Sequence, residues 1–510
     1  MINGVGRDIP KEIKGYGKVR PFKSSFGYVP KGNNYGRVRK KIKPGENKLI
    51  ELEDAVKKYV KNGMTISFHH AFRNGDIMVN RVLDICSDHG LKNLRLFPSA
   101  LFPCHEPVIE HIKNGVVNRI EGSMNGPVGY AVSHGILDEP GVLRSHGNRY
   151  RTVEAGEVHI DVAFIVAPTA DRYGNANGIY GPTPCGPLVY PLADSLYADK
   201  VIVITNNLVE YPALPMTISQ TNVDHVVVED NIGDPAGIVS GTLRITRSPR
   251  RLKIARTVVD VIKASGAFKD GFNFQAGAGG ISLAATKFIG EALDEEDIVG
   301  GFACGGTTKY LVDILEKGRV RCIVDGQSFG LEAIDSIRKN PNHYIMTPNG
   351  YANYNSRGCV VYQEDAAFLG ATEVDTKFNV NVNTHSDGLL LHGIGGHQDV
   401  AAGVKMSIIT TPLLRGRIPV VVKDVTTVTA PGQDVDVVVT DVGVAVNPRR
   451  KNLKKKLEAS DVEVRDIKEL QEEAYGIAGE PEEPETTDKI IGVIQYRDGS
   501  VIDIVKEVKE

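Results

Sequence analysis

The sequence predicts an α/β protein built from two homologous open α/β domains, and three observations predict it. The chain has 510 residues, whereas a single hydrophobic core stops growing at roughly 250–300. Apolar β-branched runs alternate with helical periodicity along most of it, the pattern of buried strands in layered α/β folds. The chain also repeats itself. The stretch from Asp161 through Phe164, Asp171 and Asn175 to Asn177 aligns without gaps to Asp365, Phe368, Asp375, Asn379 and Asn381. Two more segment pairs follow in the same order, 109–123 with 312–328 and 62–76 with 270–282. The period is too long for a solenoid. An internal duplication is expected, with domains at about 49–260 and 261–510.

Residues 1–48 hold thirteen Lys/Arg against three Asp/Glu and few aliphatics. Such a segment cannot bury enough apolar surface to fold alone, so a basic N-terminal arm is expected there. The first domain should carry helices at 50–61, 76–90 and 105–114, with strands at MTISF, NLRLF, 158–167, 198–205 and 225–230. The second should carry helices at 249–264, 281–293 and 309–317, with strands at 365–371, 418–425 and 434–442. The stretch 451–510 is acidic, sixteen Asp/Glu against ten Lys/Arg.

Composition removes several function classes. A formal net charge of −3 gives no global electrostatic case for nucleic acid. No tryptophan and 6% aromatics argue against a base- or sugar-stacking surface. The six cysteines are scattered without a CxxC pair, so neither a zinc site nor a redox dithiol is signalled, and no metal is expected. The start, MINGVGRDIPKEIK, lacks the apolar run of a signal peptide. No stretch approaches the ~18 apolar residues of a spanning helix. A cytoplasmic protein with no membrane partner is expected.

In open α/β domains ligands bind outside the carboxyl ends of strands, and five loops qualify. After MTISF comes His69-His70-Ala71-Phe72-Arg73; adjacent strand-end histidines point in opposite directions, so one is expected to be structural. Arg73 could grip a carboxylate in bidentate fashion. After GFNF comes Gln275-Ala276-Gly277 and then Gly279-Gly280, a glycine string opening a helix, where backbone N–H groups can face an anion. The third loop, Arg144 to Arg151 with His146 and Arg149, suits either a polycarboxylate or an ion-pair cluster between domains. The last two are Asn175-Ala176-Asn177-Gly178 and its later counterpart, which runs to Gly395-Gly396-His397 with backbone donors enough for an oxyanion site. The chain has no GxxxxGK[ST] or HExxH motif. The reaction stays open at this level.

Longer stretches resemble a known family. NGMTISFHHAFRNGD, HEPVIEHIKNGVV, YGNANG, FNFQAGAGG, EVDTKFNVNVNTHSDG, GIGGHQDVAAGVKMS and IQYRDGSVID, in this order, make the chain from about residue 50 onward similar to the alpha subunit of citrate lyase, within the CoA-transferase-like folds. The resemblance implies exchange of acetyl for citryl on an acyl carrier protein, releasing acetate. It implies a carrier (gamma) subunit with a CoA-derived prosthetic arm, a beta subunit cleaving citryl thioester, a homo-oligomer within a larger complex, and no cofactor bound by this chain. Related acyl-CoA transferases use a glutamate in a Gly-x-x-Thr-Glu stretch; here Gly305-Gly306-Thr307-Thr308 is followed by Lys309. A covalent glutamyl route thus loses its nucleophile, leaving direct attack by a citrate carboxylate and a mixed anhydride. On this reading Gln275, Gly277, Gly279, Gly280, Gly395 and Gly396 surround the thioester. His69, His70, Arg73, Arg144, His146 and Arg149 take the citrate carboxylates, His397 orients the carbonyl, and Lys309 places a positive charge at the anhydride. Relatives carry a third histidine where this chain has Ala71, which leaves room for a different acid. The competing readings are a CoA-transferase using Glu373, and a scaffold that binds carrier protein without turnover.

Overall fold

The computed structural model describes residues 1–24, 47–239, 244–277 and 279–509. One sheet comprises β1 (Thr65–Phe68), β2 (Leu94–Pro98), β3 (Val117–Ile120), β4 (Val162–Val166), β5 (Lys200–Thr205) and β6 (His225–Val228). Its order is β6-β5-β4-β1-β2-β3, all parallel. The second comprises β7 (Phe274–Ala276), β8 (Gly300–Thr307), β9 (Val320–Ser328), β10 (His343–Ile345), β11 (Ala366–Gly370), β12 (Ser407–Thr410), β13 (Val437–Val439), β14 (Val444–Val446) and β15 (Val464–Arg465). Its order is β10-β9-β8-β7-β11-β12-β13-β14-β15, parallel except between β13 and β14. The run β13-β12-β11-β7-β8-β9 repeats the order of the first sheet strand for strand.

The repeated residues build the same contacts twice. Asp161 Oδ2 accepts the Thr65 N–H at 2.8 Å, and Asp365 Oδ2 accepts that of Asn273 at 2.9 Å. Asp171 and Asp375 each accept the side-chain amide of the asparagine four residues on, at 2.7 and 2.9 Å. Those asparagines, Asn175 and Asn379, accept the backbone N–H of Gln220 and Gly432, both at 2.9 Å. Asp171, Asp375, Asn175 and Asn379 are buried, and burial without a partner would cost about 1–3 kcal/mol each.

The helices used below are α1 (His146–Glu154), α2 (Val189–Tyr197), α3 (Pro249–Ser265), α4 (Gly280–Glu295), α5 (Lys309–Glu316), α6 (Pro348–Ala352) and α7 (His397–Gly403). Pro249 starts α3 and Gly266, at φ +80°, ends it. Ile254, Val258, Val261 and Ile262 recur at helical spacing and bury against Phe274 and Phe368 of the second core. The expected boundary at 260/261 therefore falls inside a helix that belongs wholly to the second half.

The C-terminus departs further from a simple division. A hairpin of β16 (Thr486–Gln495) and β17 (Val501–Val508) pairs with Gly141–Leu143 of the first half. The N-terminal 24 residues lie on this hairpin: Ile9, Ile13 and Val19 cluster with Val493 and Val501, and the Phe22 ring meets Tyr496 edge-on. The remainder of the expected basic arm, 25–46, falls outside the described residues. The expected strand at 418–425 is also corrected. It breaks into Ile418–Pro419 and Val421–Val422, neither in the large sheet, because Pro419 has no N–H for a ladder. No helix among the described residues is long and apolar enough to cross a membrane.

Candidate active site

Loops leaving the carboxyl ends of the two sheets face each other, and chemistry-bearing side chains collect where they meet. From the first half, β1 runs straight into His69 and His70. His69 turns back into the sheet, where its Nε2 accepts the Val166 N–H at 2.9 Å. His70 turns to the junction. Its Nδ1 meets the Ser99 hydroxyl and its Nε2 lies 3.1 Å from Gln327 Oε1 of the second half. Three residues on, Arg73 adopts left-handed backbone, φ +53°, a conformation costing a non-glycine residue of order 1–3 kcal/mol. Its guanidinium lies between the Phe102 ring at 5.0 Å and the Phe329 ring, from the other half, at 4.6 Å. Burial brings Arg73 down to about 10, so it remains a cation.

His146 opens α1, with Ser145 as cap. Its ring stands edge-on to Tyr190 at 5.1 Å and 6.0 Å from His70. Burial, followed by the charges of Arg149 and Arg73, holds His146 at about 4; burial and the neighbouring His146 push His70 well below its ordinary value. Both are neutral imidazoles near pH 7, able to hydrogen-bond a ligand without adding charge.

The second half answers with backbone. Ile394 to His397 form a tight turn closed by the His397 N–H on the Ile394 carbonyl. Gly395 has φ +61° and Gly396 φ −88°, ψ 4°, the pattern of a type II′ turn, which wants glycine at its first central position. The turn is clamped to the first half: the His146 N–H donates to the Gly395 carbonyl at 2.9 Å. Asp399, two residues past the turn, accepts the Gly147 N–H at 2.8 Å and the Ser145 hydroxyl at 3.0 Å. Arg497, from the C-terminal hairpin, lies 3.4 Å from the same carboxylate. The N–H groups of Gly395 and Gly396 find no acceptor among the described residues, and His146 Nε2 lies within 4 Å of where a Cβ on Gly395 would stand. Two backbone donors beside a neutral imidazole are what a developing oxyanion needs.

Several expected roles do not survive this geometry. Arg149 grips Asp194 with two nitrogens at 2.8 and 2.9 Å, so its fork is already filled. Arg144 starts two residues before His146 but projects away from the junction. It binds Glu121 at 2.5 Å and Gln495 at 2.8 Å, inside a polar cavity of about 540 Å³ also lined by Arg119 and Glu157. The ion-pair alternative holds for that loop. His69 is committed to the sheet. His397 donates Nε2–H to the Gly370 carbonyl at 3.0 Å, beneath the turn. Lys309 is 58% exposed and pairs with Asp313 one helical turn on, so it brings no charge to the junction. The Gly277 N–H is spent on the Phe368 carbonyl at 3.1 Å. Gly279 and Gly280 do open α4 without a side-chain cap. Glu373 is buried and accepts from Asn381 and from Thr426 N–H and hydroxyl, so both its oxygens are held by hydrogen bonds. Tyr190 and Tyr351 had no sequence signal, and Asp399 and Arg497 lie in the stretches GIGGHQDVAAGVKMS and IQYRDGSVID without a role of their own, because only the fold brings these distant segments together.

The paired sheets, meeting at their carboxyl ends, make a CoA-transferase-like fold. A solved 4-hydroxybutyrate CoA-transferase from Porphyromonas gingivalis shares this fold, with TM-score 0.55 and 19% identity, covering 81% of this chain and 92% of that one. Within that class the chain belongs to the citrate lyase alpha subunit (CitF) family, whose model matches residues 46–508. It is similar to the citrate lyase alpha chain of Haemophilus influenzae, at 47% identity over 97% of this chain and 98% of that one. It is also similar to a crystal structure from Streptococcus mutans, assigned as the alpha subunit of citrate lyase in complex with citrate. That likeness has TM-score 0.95 and 46% identity over the whole of both chains.

Proposed function

We propose that the chain is the transferase component of a citrate lyase, exchanging the acetyl group of an acyl-carrier-protein thioester for citryl at the junction of its two halves. The carrying observation is the convergence of Arg73, His70 and His146 from one half with the unpaired Gly395 and Gly396 amides of the other. Family membership supplies the substrate class, and the similar Streptococcus chain is in complex with citrate.

Citrate enters as the nucleophile. A carboxylate oxygen attacks the acetyl carbonyl, whose oxygen gathers charge toward the Gly395 and Gly396 amides. The carbon–sulfur bond breaks, releasing thiolate and leaving a mixed anhydride. The thiolate then attacks the citryl carbonyl, the anhydride bond breaks, and acetate leaves. Charge and atoms balance without a proton from the protein. Arg73 and the two imidazoles hold the remaining citrate carboxylates, and most of the catalytic effect is orientation and oxyanion stabilisation. A covalent glutamyl route has less support: Lys309 stands in the expected place, both Glu373 oxygens are hydrogen bonded, and burial pushes Glu364 well above the usual carboxylate range.

The thiol belongs to a carrier-protein partner bearing a CoA-type arm, which would reach the site past Gln275 and the opening of α4, where a Cβ on Gly279 would meet nothing within 4 Å. A beta subunit would cleave the product, in a cytoplasmic complex holding several copies of this chain. The test mixes the purified chain with acetyl-CoA, as carrier surrogate, and labelled citrate. Labelled citryl-CoA and free acetate, with no hydroxylamine-sensitive CoA on the enzyme, support the reading. A trapped enzyme thioester favours the CoA-transferase alternative, and binding without product favours the scaffold.

A further inference from the structure

We infer that Tyr351 is a catalytic residue, donating a third hydrogen bond to the oxyanion beside the Gly395 and Gly396 amides. The inference deepens the acyl-transfer reading above and rests on it.

Tyr351 sits on α6, which packs across the junction against α1. Its phenolic oxygen accepts the Gln275 Nε2–H at 3.1 Å. A hydroxyl has one proton to give and lone pairs to receive. With a lone pair engaged by Gln275, the proton is left to point elsewhere, and the hydroxyl donates to none of the described residues. Its surroundings say where it points. A Cβ on Gly396 would collide with the Tyr351 hydroxyl, so the phenol lies directly against the turn whose two N–H groups are also unspent. Burial pushes Tyr351 well above the ordinary phenol range, which keeps the donor protonated at any working pH. Gln275 reinforces the arrangement. Its Nε2–H meets the phenol, while its Oε1 is buried and makes no hydrogen bond.

Three unspent donors on one small volume, two from backbone and one from a side chain, cost stability while empty and are recovered by a ligand oxygen that carries charge. The thioester carbonyl develops such charge in both addition steps. Glycine at 396 follows from the same geometry, because any side chain there would displace the phenol.

The experiment compares wild type with Tyr351→Phe and Gln275→Ala in acetyl-CoA plus citrate turnover, with thermal melting alongside. Loss of one oxyanion donor lowers kcat by about 100-fold. The expected result for Y351F is that loss, with citrate KM within about two-fold and a modestly lower melting temperature, because the buried Gln275 amide loses its acceptor. Q275A, which keeps the phenol but frees its orientation, should lose about ten-fold in kcat. The double variant should be no slower than Y351F alone. A Y351F kcat within three-fold of wild type overturns the inference, and so does a loss residing in KM. If Y351F melts much earlier, the Q275A and double-variant values decide by the same criteria. Wild type that makes no citryl-CoA would defeat the acyl-transfer reading itself, whereas active wild type with equally active Y351F defeats only the donor.

Discussion

The loops that leave β1 and β7 hold equivalent places in sheets of one strand order, yet they are made of opposite material. After β1 come two histidines and an arginine in left-handed backbone. β7 itself holds Gln275, and after it comes a glycine string that opens a helix without a cap. Behind these loops the halves stay alike, down to the paired Asp161/Asp365 and Asn175/Asn379 contacts. The difference teaches how a doubled frame makes an asymmetric site: one half supplies a cation and two imidazoles, while the other supplies backbone donors from its glycines with the Phe329 and Tyr351 rings beside them. Neither half holds the full set.

Two arginines of the first half sharpen this division, because one builds the frame and the other the site. Arg149→Ala strands Asp194 as a buried unpaired charge and should cost about 3–5 kcal/mol in urea unfolding. Arg73→Ala should lower kcat/KM for citrate on the order of 100-fold, the worth of one charged hydrogen-bonded contact, with melting nearly unchanged. Reversed outcomes for the pair would break the assignment. The histidines give a third check. His69, His146 and His397 are each held at about 4 by burial, against ~6.5 in the unfolded chain. The unfolded state therefore binds more protons between pH 6.5 and 4, so stability is full above 6.5 and falls as pH drops through that window. Urea unfolding at pH 7 and pH 5 measures the drop, and His397→Gln should shrink it. Smaller still, Asn175→Ala and Asn379→Ala should each cost about 1–3 kcal/mol and resemble one another, since the two turns are built alike. Lys309→Ala should change neither stability beyond ~1 kcal/mol nor citrate turnover beyond two-fold; a large activity loss would return that lysine to the site.

Much of the frame was legible because period and repeat are local signals. Helices expected at 249–264 and 281–293 appear at Pro249–Ser265 and Gly280–Glu295, and the repeated Asp and Asn residues mark the same turns in both halves. The division of the chain was less legible. A hairpin at the very end pairs with Gly141–Leu143 through contacts that no local pattern encodes. The site was legible as loops but not as side chains. Arg144 and His146 are two residues apart, yet one ends in an ion-pair cluster and the other at the junction, because the chain passes from strand end to helix start between them. Adjacent His69 and His70 part for the strand reason expected of them. Tyr351 reaches the site from a segment that carried no expectation, and Asp399 from a loop noted for its glycines and histidines instead of its carboxylate.

Citrate labelled with ¹⁸O in its carboxylates, reacted with acetyl-CoA in a single turnover at enzyme excess, tests the central claim most directly. Attack by citrate itself places one citrate oxygen in the released acetate, so the first acetate should carry one ¹⁸O atom. First-turnover acetate without ¹⁸O, together with CoA bound to the enzyme, would mean that a protein carboxylate reacts first, contradicting a site in which substrate is the nucleophile.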